Sequence, residues 1–196
     1  LRMSRGLGDV YKRQIINCLI PDNMKQIKAN IAVSLDGFIA TPDNELDWMP
    51  QNLRTLLNKE YETINYLLLG ANTYTCIFEH WGGWPYKSKK TFVVSHYDTN
   101  VTEKENVTFL TDMPLRAINE LKSSSETDIQ VIGGGKFITS LIEASLLDKI
   151  TLYIVPVMLG DGIKFIGKTF GSKWELTGHR VIDNQVVCLT YQYKGE

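Results

Sequence analysis

The sequence predicts an α/β fold. It reads as a three-layer arrangement in which a twisted, mostly parallel sheet carries helices on both faces and ends in an antiparallel hairpin. Three observations predict it. Short β-rich runs alternate with runs of helical period, and strand–helix–strand alternation implies parallel pairing. Two strand-to-helix junctions carry glycines, Leu69-Gly70-Ala71-Asn72-Thr73 and Ile132-Gly133-Gly134-Gly135-Lys136. The last β-rich stretch is divided by Asp183-Asn184, a pair suited to a hairpin turn.

Taken in order, residues 27–34 (IKANIAVS) read as the first strand. Residues 35–50 contain Gly37, Pro42, Asn44 and Pro50 and read as a long loop. Residues 51–65 place Leu53, Leu56, Leu57, Tyr61 and Ile64 at helical spacing. Residues 66–69 form a short buried strand that stops at Gly70, and residues 73–78 a helix. An aromatic loop follows, His80-Trp81-Gly82-Gly83-Trp84-Pro85. Residues 91–95 and 107–110 read as strands, and residues 114–121 open a helix at Pro114. Asp112 stands near that helix start, where a carboxylate suits the dipole. Residues 129–132 form a strand running into the three glycines, residues 137–144 a helix, and residues 149–155 a strand. Residues 174–193 form the hairpin. No repeat of fixed period and no Pro/Ser-rich linker divides the chain, so residues 24–196 read as one domain.

Composition narrows the classes. Of 196 residues, 43% are hydrophobic and 22% charged, which is globular composition and excludes disorder. Lys plus Arg is 21 against 22 for Asp plus Glu, a balance that lacks the basic footprint of a nucleic-acid partner. Runs such as Leu67-Leu68-Leu69 are too short to span a membrane. Cys18, Cys76 and Cys188 lie too far apart for a metal knuckle or a disulfide framework. They read as reduced thiols of a cytoplasmic protein. His80, His96 and His179 are isolated, so no metal site is expected. Residues 1–23 read as a non-native leader. Asp9-Val10-Tyr11-Lys12-Arg13-Gln14 is what the adapter sequence GATGTGTATAAGAGACAG encodes, and Met24 reads as the start. The competing reading, a short signal peptide, meets Asn17 inside its apolar part and no small-residue cleavage site.

The glycine junctions point to phosphate. Ligands of open α/β sheets bind outside the carboxyl ends of strands. A helix N-terminus there offers free N–H groups and a positive dipole end. Neither junction is a Walker A or a complete GxGxxG, and a lone glycine turn is more often only a turn. Two in one small α/β domain favour a nucleotide.

Val131-Ile132-Gly133-Gly134-Gly135-Lys136-Phe137 resembles the second nucleotide-binding turn of dihydrofolate reductases. Ala32-Val33-Ser34-Leu35-Asp36-Gly37-Phe38-Ile39-Ala40 resembles the opening of the wider family, which joins those enzymes with the reductase domain of riboflavin biosynthesis. Asp47-Trp48, residues 69–74, Val93-Val94-Ser95 and residues 155–162 fit the same pattern in the same order. The resemblance implies an NADPH-dependent reductase, the cofactor supplying hydride and the protein positioning the two rings. It implies that Gly70, Ala71, Asn72 and Thr73 hold cofactor phosphates and that Ser95 and His96 lie near the adenosine 2′-phosphate. Gly133, Gly134 and Gly135, with Lys136 and Phe137, would cradle the pyrophosphate, a cis peptide between the first two being one option. The backbone of Ala32 would meet the nicotinamide amide. Asp36, Trp48, Leu53, Val155, Pro156, Leu159 and Gly160 would line the substrate. Relatives are often homodimers, so a homodimer is expected.

The chain departs from both branches. Leu53 stands where dihydrofolate reductases carry an acid, and Val155 where they carry its threonine partner. A pterin edge would lose hydrogen bonds worth on the order of 1–3 kcal/mol. Ile132 and Gly133 stand where riboflavin-pathway reductases carry a glutamate, and the zinc pattern of their deaminase partner domain is absent. Ala71 replaces a basic residue of many relatives, which keeps NADH as an alternative to NADPH. Asp36 and Asp47 are the catalytic candidates. Asp36 reads equally as a turn aspartate before Gly37, and Asp47 as a solvated loop carboxylate. Trp48 either walls a pocket or anchors the core. Trp81, Trp84 and Tyr86 form either a lid or a dimer surface. The expected function is reduction of a small pyrimidine- or pterin-like heterocycle, most like 5-amino-6-(5-phosphoribosylamino)uracil reductase. The alternatives are dihydrofolate reductase proper and a nucleotide-binding protein without turnover.

Overall fold

A computed structural model describes residues 25–80, 82–95, 105–167 and 171–195. The leader, Cys18, Trp81 and His96 lie outside the described residues. In chain order the elements are β1 (Ile27–Ser34), β2 (Phe38–Ala40), α1 (Gln51–Glu62), β3 (Tyr66–Gly70), α2 (Ala71–His80), β4 (Lys90–Val94) and β5 (Val107–Leu110). There follow α3 (Pro114–Ser124), β6 (Ile129–Val131), α4 (Gly135–Glu143), β7 (Lys149–Val155), β8 (Ile163–Lys164), β9 (Lys173–Ile182) and β10 (Val186–Gly195).

Eight strands form one sheet in the order β5-β4-β3-β6-β1-β7-β10-β9. Pairing is parallel from β5 to β7 and antiparallel at β7–β10 and β10–β9. The central strands read as continuous apolar runs because both their faces are covered. Alternate residues then divide between two cores. Ile27, Ala29, Ile31 and Leu68 face Ile118 of α3 and Ile138, Leu141 and Ile142 of α4. On the opposite face, Leu67 and Leu69 meet Tyr74 and Ile77 of α2, and Ala32, Tyr153 and Val155 meet Leu53 and Leu57 of α1. Each buried Leu or Ile contributes about 1.5–3 kcal/mol of transfer free energy. The hairpin turn is left-handed at both Asp183 (φ 49°) and Asn184 (φ 56°), and Gln185 N–H closes it on Ile182 O at 3.0 Å. Both central residues at positive φ is the turn that matches strand twist.

Several expected boundaries move. Residues 35–50 are not one loop: Phe38–Ala40 pairs with Ile163–Lys164 as a small second sheet, β2–β8. Three- and two-residue strands are too short to show a period. Helix α1 ends at Glu62, not Asn65, because Asn65 O already accepts Lys90 N–H in the sheet. Helix α2 begins at Ala71, immediately after β3, and runs to His80. Helix α3 is capped by Met113 (φ 40°) with Pro114 in its first turn, and no side chain, Asp112 included, caps it. Helix α4 begins at Gly135 rather than Phe137, so the third glycine lies inside the helix.

Candidate nucleotide and substrate site

The parallel strands end at one edge, with Ser34 level with Val155 and Gly70 level with Val94. Strand β6 is shorter. Its last residue, Val131, pairs with Ala29 and Leu68, well before β1 and β3 end. A recess therefore opens at the carboxyl edge above β6. Helix α4 leaves β6 toward one face, and α1 follows β1 on the other. Diverging helices on neighbouring parallel strands make a topological switch point, where open α/β sheets hold ligands.

The glycine turn fills this recess. Gly133 (φ 56°) and Gly134 (φ 84°) are both left-handed. Every peptide among the described residues is trans, so the turn is made by backbone sign and not by the cis option. Gly134 is the N-cap of α4, and no side chain caps the helix. The first turn's N–H groups thus keep no intrahelical partner and face outward with the positive dipole end. The two glycine junctions meet here. A Cβ on Gly134 would stand 2.8 Å from Thr73 Oγ1, and one on Gly70 would stand 3.3 Å from Phe137 Cβ. Lys136 is exposed in the first turn of α4, and Asn72 is exposed in that of α2. Ser95 is buried at the end of β4, where its N–H donates to Leu110 O at 3.1 Å. The structure thus brings together Gly70, Thr73 and residues 133–137 at one edge.

The substrate positions gather beside them. Ala32, Leu53 and Val155 belong to one apolar cluster in which Leu53 and Val155 are fully buried. Trp48 packs against that cluster with its indole Nε1 buried and without a partner. Asp47 is exposed, as are Pro156 and Gly160. Asp36 is exposed too, but its carboxylate is fully engaged. Ser34 Oγ donates to it at 2.5 Å, Gly160 N–H at 2.7 Å and Leu159 N–H at 3.1 Å. The Ser34 hydroxyl, then the Gly160 and Leu159 amides, hold its pKa below the ordinary value of 3.8. A carboxyl with a depressed folded pKa adds stability above its unfolded pKa and loses it as pH falls through the folded value. Asp36→Asn is therefore expected to flatten the acid limb of the stability curve below about pH 4, read as urea midpoints from neutral to acid pH. An acid limb identical to wild type would refute this.

A second feature has no counterpart among the sequence motifs. A cleft of about 620 Å³ lies farther along the α1 face of the sheet, toward the amino ends of the parallel strands. Glu60 accepts from Tyr153 Oη at 3.0 Å, Asn30 Nδ2 at 2.9 Å and Arg180 at 3.3 Å. Burial, then the Glu60 carboxylate, pushes the Tyr153 hydroxyl pKa up. Glu60 lies seven residues after Leu53, hence on the same helix face. These groups satisfy one another, so volume alone does not make this cleft the site.

The family model described as the RibD C-terminal domain matches residues 25–188. The chain is 29% identical over 192 residues to the uncharacterized protein YyaP of Bacillus subtilis, covering 89% of this chain and 99% of that one. It superposes on a putative riboflavin biosynthesis protein from Shewanella with TM-score 0.75 and 26% identity, covering 86% of this chain and 99% of that chain. It shares its fold with a dihydrofolate reductase from Enterococcus faecalis solved with NADP(H), at TM-score 0.66 and 21% identity over 87% and 98% of the two chains. A fold of this kind, with the glycine cradle at its switch point and a family match across nearly all described residues, leaves one assignment: the chain belongs to the RibD C-terminal domain family.

Proposed function

We propose that the protein is an NAD(P)H-dependent reductase of a small pyrimidine- or pterin-like substrate, most like 5-amino-6-(5-phosphoribosylamino)uracil reductase. One observation carries the reading: the uncapped N-terminus of α4 and the start of α2 converge on Gly134 at the switch point. A Cβ on Gly134 would press on Thr73 Oγ1, so the turn is bare backbone here, and backbone that a ligand can approach closely suits a bound diphosphate. Gly133 to Phe137 would hold that group, with Gly70, Ala71, Asn72 and Thr73 on its other side. When bound, the nicotinamide supplies the hydride. The backbone of Ala32 orients the ring, and the Trp48 indole N–H offers its unused donor to the substrate. NADPH is the expected cofactor and NADH the alternative.

The test is cofactor titration by tryptophan quenching, with Gly134→Asp as control. Saturable binding that the control abolishes supports the reading. A folded protein that binds neither nucleotide would sink it. The buried Leu53–Val155 pair favours this reading over dihydrofolate reductase proper, because it offers a pterin no hydrogen bond. It also sustains the second reading, nucleotide binding without turnover, since no acid stands there to deliver a proton.

We also propose a cytoplasmic homodimer. Five of the large exposed hydrophobics, Leu35, Met158, Leu176, Val181 and Val187, support it. Val187 and Val181 stand in register on β10 and β9, beside the half-buried Ile154 of β7, so they form a row on one sheet face. Apolar fields of this kind mark interfaces more often than free surface. Sedimentation is expected to show a dimer that Val181→Glu dissociates; a monomeric wild type would refute it.

A further inference from the structure

We propose that residues 156–166 form a strap that couples the nucleotide cradle to the substrate side, and that Asp36 is the positioning residue that fastens it. This rests on the reductase reading above and adds a regulatory link within the same site.

The strap leaves the carboxyl end of β7 and is held at three points. At the first, the single N–H of Leu159 is shared between both carboxylate oxygens of Asp36, and one of these also accepts the N–H of Gly160. Ser34, itself buried, completes this fastening: its hydroxyl donates to Asp36 and accepts Phe38 N–H at 2.9 Å. At the second, β8 pairs with β2, and Phe165 N–H donates to Gly37 O at 3.0 Å. Gly162 allows that approach, because a Cβ there would stand 2.2 Å from Ala40 O. At the third, the strap lies on the cradle. A Cβ on Gly135 would stand 2.2 Å from Lys164 O and 2.8 Å from Phe165 O. The backbone at the far end of the strap therefore rests directly on the first residue of α4, which the reading gives to diphosphate.

Its near end borders the substrate positions Pro156, Leu159 and Gly160. A ligand that orders the first turn of α4 must also order the strap, since there is no side chain between them to absorb a shift. Asp36 transmits that order to Leu159 and Gly160. Both its oxygens are engaged by Ser34, Leu159 and Gly160, so it acts as a fastening.

Hydrogen exchange of the full chain, with and without NADPH, tests both halves. In the free protein, Asp36→Asn is expected to speed exchange at Leu159 and Gly160 on the order of tenfold or more, as it removes the charge behind both bonds and one of the two acceptor oxygens. Asp36→Glu keeps the charge and restores part of the protection, and it stands in if the Asn variant does not fold. In wild type, bound NADPH slows exchange across residues 156–166; in Asp36→Asn it slows only the residues that lie on Gly135. Unchanged exchange in the free Asn variant would overturn the fastening. NADPH that quenches tryptophan yet leaves residues 156–166 unaltered would overturn the coupling while the reductase reading stands. Failure of wild type to bind NADPH would overturn the reductase reading and the coupling together, and the free-protein comparison would still decide the fastening.

Discussion

Gly134→Asp is expected to weaken nucleotide binding by about two to three orders of magnitude while leaving the protein folded. Three effects compete at this position. An L residue at φ 84° is strained, by about 1–2 kcal/mol. Its Cβ would press Thr73 Oγ1, but a side-chain hydroxyl can rotate away. Against these, a carboxylate at an N-cap stabilises a helix by about 1 kcal/mol, and α4 has no side-chain cap of its own. The net loss of stability is therefore small, about 1 kcal/mol. Binding behaves differently. The carboxylate would stand beside the proposed diphosphate position, and two like charges about 4 Å apart repel by about 4 kcal/mol at an effective dielectric constant near 20. That predicts an affinity loss of about two to three orders of magnitude. Fluorescence titration beside urea unfolding reads both quantities. Equal affinity in variant and wild type would place the nucleotide elsewhere.

Gly135→Ala, one residue later, is expected to do the reverse and strike stability first. Alanine is the better helix former by about 1 kcal/mol. Its Cβ would meet the carbonyl oxygens of Lys164 and Phe165 at 2.2 and 2.8 Å. These are backbone atoms of a strap pinned at Gly37 and Asp36, so they cannot step aside singly. Overpacking against rigid backbone costs about 1–3 kcal/mol or more and outweighs the propensity gain. A net destabilisation of about 2 kcal/mol is expected as a lowered urea midpoint at unchanged slope. A variant as stable as wild type would mean that strap and helix are not in contact.

Much of the fold was legible. Residues 27–34, 107–110 and 149–155 are strands with the expected limits, because apolar runs between turn residues have few other uses. The hairpin was legible because Asp183-Asn184 accepts left-handed backbone. Strands β2 and β8 were not, since among the described residues each pairs as a strand only with the other, across more than a hundred residues. The start of α4 was misplaced because glycine reads as a breaker, yet Gly135 is helical where the strap comes too close for any side chain.

The site divides in the same way. Local chemistry marked Gly70 and Gly133 to Gly135, because a tight turn at a strand end is contiguous backbone and leaves its glycines close in sequence. It marked Asp36 without deciding its role. That role depends on Leu159 and Gly160, whose amides reach it only when β1 and β7 lie side by side. The Glu60–Tyr153–Arg180 cluster has no sequence signature at all, since its members come from a helix and two strands far apart in the chain. By itself the sequence determined the class of fold, the order of its main elements and the place of the glycine turn, which are matters of period, propensity and neighbouring residues. Only the tertiary structure decided which carboxylates are engaged and which glycines are indispensable, because hydrogen bonds and close contacts between distant segments depend on register and distance, and neither is written in the local order of residues.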